Sequence, residues 1–156
     1  MSETVAEQNW KRTFSMDLLR SVPMGVTETV GSTFAMFVAV GLLQLDSLSK
    51  SAIIGGPAIG LLLGFFTVAL VRRLGLSVNI AAAIGWGVAA IGYGLVALNP
   101  DSGSIFVAGV VVALLSHALA APLQSQIYKQ HYPDKSRGWL FSTVGMMKAG
   151  VSATFG

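Results

Sequence analysis

The chain contains no cysteine, and charged residues make up only 11% of its 156 positions. The first absence removes disulfide frameworks, thiolate metal sites and thiol nucleophiles. The second sits badly with a water-soluble fold, in which about 25% of residues carry charge. Alternation of apolar and polar residues at period two is missing, so strands are a poor reading. A cleavable leader is not visible, because Glu3, Glu7, Lys11, Arg12, Asp17 and Arg20 interrupt the start of the chain. The glycines lie inside apolar runs and form no phosphate-binding loop after a strand. The two histidines are far apart, with no carboxylate cluster at ligand spacing, so no metal site, cofactor or enzymatic activity is expected.

What is present is apolar. Hydrophobic residues make up 53% of the chain, and its mean hydropathy is +0.69. A bilayer core about 30 Å thick needs roughly 20 apolar residues in a helix. Runs of that kind recur at about 24–45, 51–71, 76–98 and 104–128, and a fifth covers 139–156. The expected fold is therefore all-α, a polytopic transmembrane helical bundle over 23–156, with the lipid bilayer as its first partner. Residues 1–22 form a cytoplasmic tail. Within it Trp10, Phe14, Leu18 and Leu19 recur at near-helical spacing, which makes a helix lying in the membrane interface one reading and a frayed basic tail the other. Pro23 would mark the start of the first span.

The net charge of +3 does not point to nucleic acid, because the bases sit in short clusters between the apolar runs. Lysine and arginine favour cytoplasmic loops. With the amino terminus inside, Lys11, Arg12, Arg20, Arg72, Arg73, Lys129, Lys135 and Arg137 share the cytoplasmic side and only Lys50 lies opposite. Lys148 falls inside the fifth run. The expected location is the cell (inner) membrane.

Small residues supply the packing signal, since helices in lipid associate through close backbone approach. Gly56, Gly60 and Gly64 repeat at a spacing of four in the second run. Gly85 lies on a small-residue stripe with Ala81 and Ala89 in the third, and Gly87 and Gly94 lie near another. Ionisable residues at membrane depth are by default functional candidates. Glu28, with Ser32 one turn on, occupies the first run, where a carboxylate near the interface or favoured by the helix dipole is the plainer alternative. His117 and Lys148 lie about 15 Å and 14 Å into their runs at the helical rise. Their similar depth makes a pair between them, or with a third group, an expectation; a hydrogen-bonded packing histidine is the alternative. Pro122 should kink the fourth run. The third run has no Asp, Glu, Lys, Arg or His between Ile80 and Leu98. That segregation suggests a cavity lined by runs one, four and five, with the third run outside.

Asp17, Arg20, Pro23, Gly25 and Glu28 at the start, the double-basic turn Arg72-Arg73-Leu74-Gly75, and Tyr132-Pro133-Asp134-Lys135-Ser136-Arg137-Gly138 after the fourth run together resemble the amino-terminal half of a major facilitator superfamily (MFS) transporter. The likeness is to uncharacterised bacterial members and covers about 17–156. The superfamily pattern Gly-x-x-x-Asp-Arg-x-Gly-Arg-Arg is matched at Arg73 and Gly75, whereas Val68, Arg72, Leu76 and Ser77 depart from it. The arginine motif and the Gly-Pro pair of proton-coupled drug exporters are also absent.

The resemblance implies a secondary active transporter that moves a small solute by alternating access. Glu28, Ser32, His117 and Lys148 are then candidates for the solute or proton pathway, with an anionic solute and a proton as the expected cargo and coupling ion. Arg72, Arg73, Gly75 and Arg137 become gating or loop candidates. The superfamily has six helices per half, so the chain is expected to be a truncated piece whose remaining helices belong to a longer protein. The competing expectation is a membrane scaffold or assembly subunit that transports nothing.

Overall fold

The computed structural model describes the backbone of residues 3–155 and the side chains of residues 10–31 and 33–155. Helix makes up 88% of the structure, and there are no strands among the described residues. Helix α1 (Glu3–Thr29) leads into a π-helical turn (Val30–Phe34), the short α2 (Ala35–Phe37) and a second π-helical turn (Val38–Leu42). Four longer helices follow: α3 (Ser47–Arg73), α4 (Val78–Leu98), α5 (Gly103–His131) and α6 (Arg137–Phe155).

Three of these are long and apolar enough to cross a membrane. The best eighteen-residue windows of α3, α4 and α5 have mean hydropathies of 2.1, 1.8 and 2.2. At 1.5 Å per residue each exceeds the roughly 30 Å hydrocarbon core. The protein is thus membrane-embedded and helical. Helices α1 and α6 are also long but carry charged residues, Glu28 and Lys148 among them.

Local chemistry explains the boundaries. The Asp46 carboxylate accepts from the Ser49 N–H at 3.3 Å and starts α3. The Ser77 hydroxyl accepts from the Ile80 N–H and starts α4. Each captures a donor that the first helical turn leaves without an intrahelical partner. Helix α3 stops at a turn in which Gly75 takes a φ of +65°. There the Leu76 N–H donates to Val71 and the Gly75 N–H to Arg72, the paired bonds of a glycine C-cap. Pro23 does not interrupt α1, nor Pro122 α5. The expected helix boundary at Pro23 is therefore absent, and the chain stays helical through it.

The structure divides into two compact units, one from Gly31 to Gln126 and the other from the residues up to Val30 together with those from Ile127 on. In the Gly31–Gln126 unit, α5 receives a glycine face from each neighbour. A Cβ on Gly60 would lie 2.6 Å from the Ala118 Cβ, and one on Gly64 would lie 3.1 Å from the Pro122 Cγ. Gly56 is looser: its added Cβ would make ordinary contact with Val111. On α4, Gly85 faces Ala120 and Ser116, whereas Gly92 meets the Gly109 carbonyl. The partner numbers rise together for α3 and α5, so these two run parallel; they run in opposite senses for α4 and α5, which are antiparallel. Gly87 and Gly94 face open space, so the working stripe of α4 is Gly85, Ala89 and Gly92. Ala35, Ala39, Ile53, Phe106 and Val110 form an apolar core in the same unit. Large side chains such as Leu62, Phe65, Phe66, Ile84 and Ile91 point outward. Small residues inside and large ones outside suit a protein whose solvent is lipid.

In the other unit, α1 lies along α6. Phe14 meets Trp139, Gly25 meets Lys148 and Val151, and Thr29 meets Ser152. Contacts advance in the same sense on both helices, so α1 and α6 are parallel. The tail segment with Trp10 and Phe14 packs against Tyr128, Tyr132 and Leu140, which puts part of the expected interfacial face against protein.

Candidate functional site

Two polar centres lie along α1. In the first, Lys148 Nζ stands 3.1 Å from Glu28 Oε2. The next residue on α1, Thr29, shares a hydrogen bond of 2.9 Å with the Ser152 hydroxyl and donates to the Ser152 carbonyl at 3.0 Å. Gly25, one turn before Thr29, makes the approach close enough: its backbone faces the Lys148 carbonyl with no room for a Cβ. The Glu28 and Lys148 side chains remain 50% and 33% exposed. The ion pair is thus open on one side and closed by helix contact on the other.

The second centre is enclosed. Asp17, Tyr128 and Tyr132 are all buried. The Tyr132 hydroxyl donates to Asp17 Oδ2 at 2.5 Å. Arg20 Nη2 donates to Asp17 Oδ1 at 2.8 Å and to the Tyr128 hydroxyl at 3.3 Å. The two tyrosine rings stack at 5.2 Å, and Phe141 stands edge-on to Tyr128. Burial, then the hydrogen bond to Asp17 and the charge of that carboxylate, raise the Tyr132 hydroxyl above its ordinary phenol value. Tyr132 accordingly stays neutral and acts as the donor. Arg137 pins the following turn by pairing with Asp134 and donating to the Tyr132 and Lys129 carbonyls at 3.3 Å.

The structure brings two of the sequence candidates together. Glu28 and Lys148 form an ion pair, which supplies Lys148 with the third group that its depth suggested as one alternative to His117. His117 lies in the other unit, where its ring stands edge-on to Trp86 with centroids 4.6 Å apart. Ser32 belongs to the first π-helical turn, and its side chain lies outside the described residues. Arg72 and Arg73 are exposed in the last turn of α3, where positive charge suits the carbonyl end of the helix. Gly75 serves the C-cap beside them.

Sequence reasoning passed over Asp17, Arg20, Tyr128 and Tyr132 as a group, since they come from distant segments. Their one visible signal was an acid and a base three residues apart on an apolar helical face. It also passed over Trp86 and Tyr93 on α4, whose indole N–H and hydroxyl are buried without a hydrogen-bond partner. The third run is therefore not free of buried polarity. Set against protein-family models, curated proteins and solved structures, the chain has no match.

Proposed function

We propose that this protein is a secondary active transporter, resembling the amino-terminal half of the major facilitator superfamily. It would move a small anionic solute across the cell membrane by alternating access. The observation that carries the reading is the half-open ion pair between Glu28 and Lys148. A charge pair on helices of a membrane-embedded protein is costly when its open side faces acyl chains, and such groups face water-filled cavities instead. In this reading the end of α1 from about residue 24, with its continuation to Leu42, is the first span, and α6 is the fifth. Both then enter from the side of the amino terminus, which the parallel packing of α1 and α6 supports. The parallel pair α3 and α5, with α4 antiparallel, fits the same alternation. The distribution of eight bases against one supports an amino terminus in the cytoplasm.

The chemistry follows from competition for one ammonium group. With Glu28 ionised, Lys148 is neutralised internally. A proton on Glu28 releases Lys148 to bind an anionic group, so that proton and anion travel together. Alternating access of this type needs a second helical half, so the experiment uses the complete gene product. Reconstituted in liposomes with a pH gradient and an internal pH dye, it is offered a panel of small carboxylates, sulfonates and phosphates. Proton entry that depends on one of these solutes, and is absent from empty liposomes, supports the reading. A folded protein that moves none of them under any imposed gradient favours a scaffold or assembly subunit.

A further inference from the structure

The buried network has no part in the chemistry just described, yet it shares α1 with the ion pair and reaches the turn that leads into α6. Its members come from α1 (Asp17 and Arg20), the end of α5 (Tyr128) and the turn before α6 (Tyr132). Asp17 is 6% exposed, Tyr128 4% and Tyr132 3%. A carboxylate so enclosed is stable only while its charge and lone pairs are answered, and here Arg20 takes one oxygen and Tyr132 the other. These bonds are directional. The surrounding packing of Trp10, Phe14 and Leu140 is apolar, and apolar burial by itself does not fix register.

We propose that the Asp17–Arg20–Tyr128–Tyr132 network is a latch that sets the register of α1 on α6 and so positions Glu28 against Lys148. The connection is mechanical. Helix α1 runs unbroken from Asp17 to Glu28, a rise of about 16 Å. A helix transmits an axial shift over that length with little loss. At the far end the contacts are demanding: the Gly25 backbone touches the Lys148 carbonyl closely enough to exclude a methyl group, and Thr29 must reach Ser152. A small slip of α1 would break both and part the ion pair. Opening the latch requires α1 to give up the Asp17–Tyr132 and Arg20–Tyr128 bonds together, which gives two states in place of a gradual slide. The latch stands apart from the transport reading, and its test needs no solute.

The test is site-resolved acylation of lysines in the complete gene product, held in nanodiscs and read by mass spectrometry. Glu28→Gln sets the rate at which Lys148 reacts when its partner is gone. Tyr132→Phe keeps the ring and deletes the donor. Asp17→Asn keeps the shape and deletes the charge. The proposal expects both variants to raise the Lys148 rate at least about threefold, as loss of a hydrogen bond to a charged group should. Lys50, in the other unit, is the internal standard and keeps its wild-type rate. A Lys148 rate that stays at wild type in both variants while Glu28→Gln raises it overturns the proposal. A rise at Lys50 that matches the rise at Lys148 also overturns it, because it shows general loosening instead of a change in register.

Discussion

Gly25 has no space for one more carbon. A Cβ there would lie 2.5 Å from the Lys148 carbonyl oxygen and 2.8 Å from the Val151 Cβ. Gly150, on the opposing helix, would meet nothing within 4 Å. Gly25→Ala should therefore force α1 away from α6, whereas Gly150→Ala should be tolerated. Overpacking of this kind costs about 1–3 kcal/mol, to be read as a lower unfolding midpoint in detergent for Gly25→Ala alone. Equal midpoints for the two variants would contradict the close approach. Gly25 is one residue whose role the sequence hid, because a lone glycine in an apolar run carries no repeat. Glu28 and Lys148 were legible as costly ionisable groups. Their partnership was not, since it depends on which helices are neighbours. The glycine repeat on α3 was legible as a packing face, but Gly60 and Gly64 are tight and Gly56 is not.

Among the elements, α3, α4 and α5 were the most readable. Apolar runs at 51–71, 76–98 and 104–128 became Ser47–Arg73, Val78–Leu98 and Gly103–His131. The added residues at the starts of α3 and α5 include capping turns that hydropathy ignores. The two π-helical turns had no sequence signal, because an i→i+5 bond such as Leu43 N–H to the Val38 carbonyl leaves the apolar pattern unchanged. The cap of α3 yields a prediction at this scale. The Ser49 side-chain hydrogen bond is the main cause that holds the Asp46 carboxylate below its ordinary value of 3.8, and the capping Ser49 N–H lowers it further. A group depressed in the folded state stabilises above its unfolded pKa and loses that contribution as pH falls through the folded one. Hydrogen exchange in the first turn of α3 should thus be slow above pH 3.8 and, after correction for intrinsic rates, quicken below it. Asp46→Ala should show the faster exchange at every pH. Exchange that is the same in variant and wild type would remove the cap from the account.

At the scale of the whole molecule, the helical, membrane-embedded character was plain from the scarcity of charge and the length of the apolar runs. The packing order of the helices was not, because a run of leucines does not record its neighbours. The proposed orientation rests on loop charge and has a direct check. The chain has no cysteine, so single substitutions report one position at a time. Ser102→Cys, between α4 and α5, should react with a membrane-impermeant maleimide on intact cells. Ser77→Cys, between α3 and α4, should react only after permeabilisation. The reverse pattern would invert the topology.

The proposed transport function turns on Lys148 as the group that meets the anion. The most direct test is solute-dependent proton entry into liposomes holding the complete gene product, compared among wild type, Lys148→Arg and Lys148→Gln. The account predicts flux in the wild type, at least part of it in Lys148→Arg, and loss of about tenfold or more in Lys148→Gln, as removal of a partly desolvated charge partner implies. Wild-type flux in a folded Lys148→Gln protein would contradict it.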